Sequence, residues 1–211
     1  MEKAEKVLIT GANRGIGYGL LKVFIQNHFE VFSLVRKKEA AAKLKEEFPQ
    51  RCYPIIADVR QDDCKKKIRD TLREHTDTLD ILLNNAGGPG KAYHLKEASS
   101  KEMFDLFNVH CLGIMRTVQC TKEFLESSFN PRVINLSSRL GSLTRVASGE
   151  FKGRNFSYAY RISKAAQNML TVCLNEELKD QGICVIALHP GEIRTELGTS
   201  EADTEIGRAH V

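Results

Sequence analysis

The sequence predicts an α/β protein built as a doubly wound parallel sheet, in three layers with helices on both faces. Three observations carry that expectation. Short apolar runs alternate with amphipathic helical stretches along the chain. Several of the runs are apolar and β-branched on consecutive residues, as strands buried on both faces must be. The first run feeds straight into Thr10-Gly11-Ala12-Asn13-Arg14-Gly15-Ile16-Gly17, a glycine-rich turn that opens a helix.

In chain order, strands are expected at Lys6–Thr10, Val31–Val35, Tyr53–Ala57, Leu79–Asn84, Arg132–Leu136 and Ile183–Leu188. Helices are expected at Gly15–Asn27, Glu39–Phe48, Asp62–Glu74, Ser100–Ser127 and Tyr158–Lys179, supplying right-handed crossovers. Gly, Pro and Ser punctuate two longer loops, Gly87–Ser99 and Arg139–Ser157, placed where such folds keep substrate pockets. The helix Ser100–Ser127 carries a long apolar stripe that includes Met103, Phe104, Phe107, Cys111 and Ile114. No repeat or linker divides the 211 residues, so a single domain is expected.

Composition narrows the function classes. The chain is 42% hydrophobic and 27% charged with a net charge of +4, and its Lys and Arg are interspersed with Glu along the helices. That pattern describes a solvated surface, not a nucleic-acid stripe. No stretch is long and apolar enough to span a bilayer, and Met1–Lys6 lacks the apolar core of a signal peptide. The six cysteines form no Cys-x-x-Cys pair, so reduced, mostly buried thiols in a cytoplasmic protein are expected. The six histidines are dispersed, which leaves no metal-ligand cluster.

In the glycine turn, Gly11 permits the sharp bend off the strand, Gly15 lets backbone N–H groups approach a pyrophosphate, and Gly17 permits close helix packing. The helix start adds unpaired donors and a positive dipole end, so the segment is a candidate dinucleotide site of the Rossmann type. The second strand ends in Arg36-Lys37-Lys38 with no acid to take a ribose 2′-hydroxyl, and Arg14 adds a further cation. A 2′-phosphate would find charge-assisted donors there, which favours NADP over NAD. Asp58, after the third strand, reads equally as an N-cap of the next helix.

Tyr160 and Lys164 stand four residues apart on one helical face. Tyr158 competes for the role of Tyr160, but its partner at that spacing is Ile162. Ser138 follows an apolar strand, at the end of the sheet where open α/β folds bind ligands. Together with Thr10-Gly11-x-x-x-Gly15-x-Gly17, Asp58, Asn84-Asn85-Ala86-Gly87, Asn108, Pro190-Gly191 and Thr195, these motifs resemble the short-chain dehydrogenase/reductase family in its one-domain form. The stretch around Tyr158–Met169 and His189-Pro190-Gly191 is most similar to the sniffer/C-factor-like carbonyl reductases.

The resemblance implies hydride transfer between NADP(H) and a small carbonyl compound or alcohol, with Asn108, Ser138, Tyr160 and Lys164 as the catalytic set. Tyr160 would be the acid or base, its pKa lowered by the Lys164 ammonium and the cationic oxidised nicotinamide. Lys164 would also hold the nicotinamide ribose, Ser138 the substrate oxygen, and Asn108 a water that relays protons toward Lys164. Cofactor contacts are implied for Thr10, Gly11, Asn13, Arg14, Gly15, Ile16, Gly17, Arg36, Asp58, Val59, Asn85, Ala86, Gly87, Tyr160, Lys164, Pro190, Gly191, Ile193 and Thr195. Dimerisation through the Ser100–Ser127 and Tyr158–Lys179 helices is a further implication. A cofactor-binding scaffold with little turnover, or an inactive incomplete enzyme, is the alternative; the joint presence of the four catalytic residues argues against the scaffold.

Family members continue well past Pro190-Gly191 into a substrate-covering segment and a final strand, for which residues 192–211 leave little room. Glu205-Ile206-Gly207-Arg208-Ala209-His210-Val211 reads as the translation of a common sequencing adapter. A domain over residues 1–204 lacking its last strand, followed by a non-native tail, is therefore the expectation.

Overall fold

The structure, a computed structural model, describes residues 4–191. Six parallel strands, β1 (Lys6–Thr10), β2 (Glu30–Val35), β3 (Cys52–Ile56), β4 (Ile81–Asn84), β5 (Arg132–Leu136) and β6 (Cys184–Leu188), lie in the order β3-β2-β1-β4-β5-β6. The chain winds outward from β1 to β3 and then returns to place β4 beside β1, with Val7 opposite Ile81 and Ile9 opposite Leu83. That reversal opens a crevice at the carboxyl ends of β1 and β4.

Seven α-helices are described: α1 (Gly15–Gln26), α2 (Lys38–Glu47), α3 (Cys64–His75), α4 (Ser100–Phe107), α5 (Gly113–Glu126), α6 (Leu143–Ala147) and α7 (Tyr158–Leu178). Successive strand residues point to opposite faces, so the consecutive apolar runs feed two cores. Leu8, Phe32, Leu82 and Val133 pack with Ile68, Ile114, Phe124 and Leu178 on the α3–α5–α7 side. Val7, Ile9, Val31 and Leu83 pack with Leu21 and Leu44 on the α1–α2 side. The three-layer α/β architecture is thus as expected, with strand limits within two residues of those read from the sequence.

Two elements differ from expectation. Ser100–Ser127 is two helices joined by a π turn over Asn108–Leu112, in which the Gly113 N–H donates to the Asn108 carbonyl. The continuous apolar stripe conceals this break, because a π turn inserts one residue without interrupting burial. The loop after β5 contains α6, which is capped by Ser142 accepting from the Arg145 N–H at 3.4 Å.

Cys52, Cys64, Cys111 and Cys120 are buried, Cys173 and Cys184 are exposed, and all six are free thiols. Among the described residues no helix is long and apolar enough to cross a membrane, and no cluster of metal-ligating side chains occurs. Ile193, Thr195 and the expected tail at 205–211 lie outside the described residues, as does any substrate-covering segment after Gly191.

A buried polar row crosses the sheet just below the crevice. Thr117 Oγ1 donates to Asn84 Oδ1 (2.8 Å), Asn84 Nδ2 to Asn135 Oδ1 (2.9 Å), and Asn135 Nδ2 to Thr171 Oγ1 (3.0 Å). Asn135→Ala strips Asn84 of its acceptor, and a buried group left unsatisfied costs about 1–3 kcal/mol. Asn84→Ala/Asn135→Ala is expected to lose less stability than the two single losses combined, in urea unfolding with unchanged m-values.

Candidate active site

The crevice floor is made by hydrogen bonds between strand ends. The N–H groups of Asn85 and Ala86 both donate to Thr10 Oγ1, at 3.0 and 2.9 Å. Asn85 Nδ2 returns bonds to the carbonyls of Thr10 (2.8 Å) and Gly11 (3.1 Å). Thr10 and Asn85 therefore fix the separation of β1 and β4 as well as bordering the crevice. Gly11 has a φ of +70°, and a Cβ on Gly17 would fall 2.4 Å from both Asn85 Nδ2 and the Gly11 oxygen. The start of α1 thus packs directly on the turn, a closeness only glycine permits.

Gly15 begins α1, Ile16 is half-buried, and Asn13 and Arg14 are exposed beside it. The helix start has no side-chain cap and no acid in its first turn. Its first N–H groups are left to an anion, so the turn fits the pyrophosphate of a dinucleotide. At the end of β2, Arg36 and Lys37 are exposed and make no ion pair among the described residues. Asp58 does not cap α3, which begins only at Cys64. Its carboxylate instead receives the Arg60 N–H (3.0 Å) and guanidinium (2.6–3.1 Å). Burial would raise the Asp58 carboxyl, but bonding to Arg60 and the charges of Arg60 and Arg36 outweigh it and hold its pKa below the ordinary value. Val59, next along, is buried, and its carbonyl accepts from Arg116 at 3.1 Å.

Ser138, Tyr160 and Lys164 come together at the carboxyl end of β5. Ser138 leaves the strand with its Oγ accepting the Leu140 N–H at 3.2 Å. Ser157 caps α7 by accepting the Tyr160 N–H at 3.3 Å, which sets Tyr160 in the first turn and Lys164 one turn later. Lys164 Nζ lies 5.7 Å from the Tyr160 ring centroid and donates to the Leu136 carbonyl (2.7 Å) and Gln167 Oε1 (2.8 Å). Burial draws the Lys164 ammonium down to about 7. Within the protein alone, burial raises the Tyr160 pKa, and a hydrogen bond with Ser138 opposes this only partly. The phenol is therefore a protonated acid and not a phenolate, because burial outweighs the Ser138 hydrogen bond.

Asn108 is held at both ends of its side chain. Its Oδ1 accepts from Arg116 at 2.8 Å and its Nδ2 donates to the Arg60 carbonyl at 3.3 Å. Its backbone carbonyl is spent on the π turn. Neither end of Asn108 bonds Tyr160 or Lys164 directly, and a role through a bridging water requires no such bond. The side chain of the π turn that faces the pair is His110, which the sequence reading passed over as one of the dispersed histidines. His110 is buried, its ring meets that of Tyr160 edge-on at 5.7 Å, and its Nδ1 lies 2.9 Å from Ser163 Oγ. The Ser163 hydroxyl donates to the Tyr160 carbonyl, so His110 Nδ1 carries the proton and donates to Ser163. Nε2 is then an acceptor with no partner among the described residues, and a Cβ on Gly87 would fall 2.6 Å from it. Burial, aided by the Lys164 charge, depresses His110 to about 3, so the imidazole is neutral. A signal was available: His110 stands three residues after Phe107 and four before Ile114, on the apolar stripe.

Ala86 is half-buried and Gly87 exposed at the crevice, and Pro190 and Gly191 follow β6 at the same sheet end, Gly191 with a φ of +91°. Phe151 and Phe156 pack edge-to-face on each other at 5.8 Å, which favours a loop-packing role.

The chain matches the short chain dehydrogenase family over residues 5–206. It is 33% identical over 127 residues to C-signal of Myxococcus xanthus, covering 60% of this chain and 73% of that protein. Its structure resembles carbonyl reductase Sniffer of D. melanogaster, with a TM-score of 0.85, 27% identity, and 97% and 87% of the two chains covered. An NADPH-bound carbonyl reductase from chicken fatty liver gives a TM-score of 0.83 at 26% identity over the same shares. A topological crevice closed by Thr10 and Asn85, an uncapped glycine turn, and a Ser–Tyr–Lys group at the next strand end agree with those matches: the chain belongs to the short-chain dehydrogenase family of oxidoreductases.

Proposed function

We propose that this oxidoreductase reduces small carbonyl compounds with NADPH in the cytoplasm. The observation that carries the reading is the Ser138–Tyr160–Lys164 group, with its phenol kept protonated by burial and placed beside a dinucleotide-type crevice. A protonated phenol is the form that the reducing direction consumes. When bound, NADPH supplies the hydride that reaches the carbonyl carbon. Tyr160 gives its O–H proton to the oxygen as negative charge develops there, and the Ser138 hydroxyl steadies the same oxygen. Lys164 orients the ribose with the donor capacity that remains to it and returns charge stabilisation to the phenolate left behind. The N–H groups at Gly15–Gly17 take the pyrophosphate, with Asn13, Ile16, Val59, Ala86, Gly87, Pro190 and Gly191 lining the cofactor's path.

NADPH is preferred over NADH in this reading because Arg14 and Arg36 are exposed with their charge unspent. Asp58, whose carboxyl feels the Arg36 charge, is already paired with Arg60. Residues after Gly191 lie outside the described structure, so the reading stops at the substrate class.

We also place a second copy of the chain against the α4–α7 face. There Phe104, Phe107, Ile162, Met169 and Val172 are 41–73% exposed around an apolar hollow lined by Met103, Ala159 and Ser163. An exposed apolar face of this kind marks an association surface. Phe104→Glu is expected to shift sedimentation toward the monomer; an unchanged profile would remove this face from any dimer.

Tyr160→Phe deletes only the hydroxyl. Turnover of a reactive aldehyde with NADPH should fall roughly 10²–10⁴-fold while NADPH binding and thermal stability are kept. Near-normal turnover would dismiss Tyr160 as the acid. Arg36→Asp should weaken NADPH binding by at least about tenfold and NADH binding far less, since a charged hydrogen bond is lost and a repulsion gained. Equal loss for both would move the 2′-phosphate away from Arg36.

A further inference from the structure

Lys164 is a buried cation with no carboxylate beside it. It is 6% exposed and makes no ion pair among the described residues. Such a charge is costly unless its protons all find acceptors. Two of them do so through one closed ring. Nζ donates to the Leu136 carbonyl and to Gln167 Oε1, while Gln167 Nε2 donates to the same Leu136 carbonyl at 3.2 Å. Gln167 is itself 1% exposed and lies one turn beyond Lys164 on α7. Its backbone carbonyl accepts from Thr171, whose hydroxyl ends the polar row through Asn135 and Asn84.

We propose that Gln167 is the positioning residue for Lys164: its carboxamide stands in for the missing counter-ion, holding the ammonium protonated and aiming its one remaining N–H at the crevice. The carboxamide does both because it is bound at each end. Its oxygen can only accept from Nζ, and its NH₂ is anchored on Leu136, so it cannot turn to offer Lys164 a donor. Two acceptors at fixed directions leave the ammonium a single free direction, whereas a neutral amine would present a lone pair there. Gln167 thus selects the charge state as well as the orientation.

The other titratable groups around Lys164 do not replace it. Tyr160 on the same helix is a neutral phenol, and His110 on the π turn is a neutral imidazole. Cys111, also on the π turn, is a thiol that burial pushes to about 11. Strand β5 contributes the Leu136 carbonyl.

The inference builds on the proposed carbonyl reduction for its kinetic consequence, but its direct test does not need turnover. In the full chain, the pKa of Lys164 is measured from the pH dependence of its ¹³Cε NMR signal, assigned by its loss in Lys164→Met. Gln167→Met keeps the side chain's length and removes its polar atoms; the Lys164 value should fall by about one unit or more, the scale of one lost hydrogen bond to a charged group. Gln167→Glu places a carboxylate at the same distance, and the value should rise by about 1–3 units. If carbonyl reduction is active, the loss of rate at high pH should move in the same two directions, because Lys164 holds its charge only below its own pKa. A Lys164 value unchanged in folded Gln167→Met overturns the proposal and reduces Gln167 to core packing. Opposite shifts in the two variants, with no carbonyl turned over by any form, would uphold it while rejecting the reductase reading. Gln167→Met also supplies the test on its own if the buried carboxylate of Gln167→Glu prevents folding.

Discussion

Strands β1 and β4 end in Thr10 and Asn84, and β5 carries Asn135 one residue before its end; all three are polar residues that the two helix layers cut off from water. Each must find a partner inside the protein, because a buried donor or acceptor left alone costs as much as a core mutation. The solutions are shared between elements: Thr10 is satisfied by the N–H groups of Asn85 and Ala86, Asn84 by Thr117 of α5, and Asn135 by Thr171 of α7. This accounting sets the depth at which α5 and α7 sit against the sheet. It thereby fixes where the first turn of α7, with Tyr160, meets the end of β5, with Ser138. The site is a consequence of closing off those strand ends.

The same economy explains why the centre is cationic yet lacks an acid. A carboxylate beside Lys164 would form a tight buried pair and hold the ammonium inward, at a desolvation cost that such pairs recover only with ideal geometry. Carbonyl and carboxamide oxygens satisfy two N–H groups without cancelling the charge. Net positive potential is left at the crevice, where a phenolate forms when Tyr160 gives up its proton. Burial raising Tyr160 and lowering Lys164 are then two effects of one dry environment, which weakens the charged form of each group, while the two acceptors on Lys164 oppose that pull on the ammonium.

The sheet was legible because strands buried on both faces must be apolar at every position, and runs such as Val7-Leu8-Ile9 and Ile81-Leu82-Leu83 satisfy nothing else so well. The Tyr160–Lys164 pair was legible because four residues place two side chains on one helical face. The supporting polar residues were not. Gln167 and Thr171 follow Lys164 at helical spacing, but a polar residue on an amphipathic helix reads as solvent-facing by default. Only the position of α7 against the ends of β5 reveals that this face is inside.

Asn108 and His110 stand two residues apart on the π turn and face different neighbours. Two residues along a helix rotate a side chain by about 200°, so neighbouring polar positions face nearly opposite directions. The π turn alters that rotation further within this segment. The turn delivers a neutral, buried imidazole to Tyr160 and Ser163 while Asn108 is held by Arg116 and Arg60 on the side of Val59. Arg116 in turn binds Asp62, so the polar contacts of Asn108 serve to fasten the β3–α3 connection to the π turn. A carboxamide in that place braces the π turn against the connection after β3, while α7 brings Tyr160 and Lys164 in from the other side.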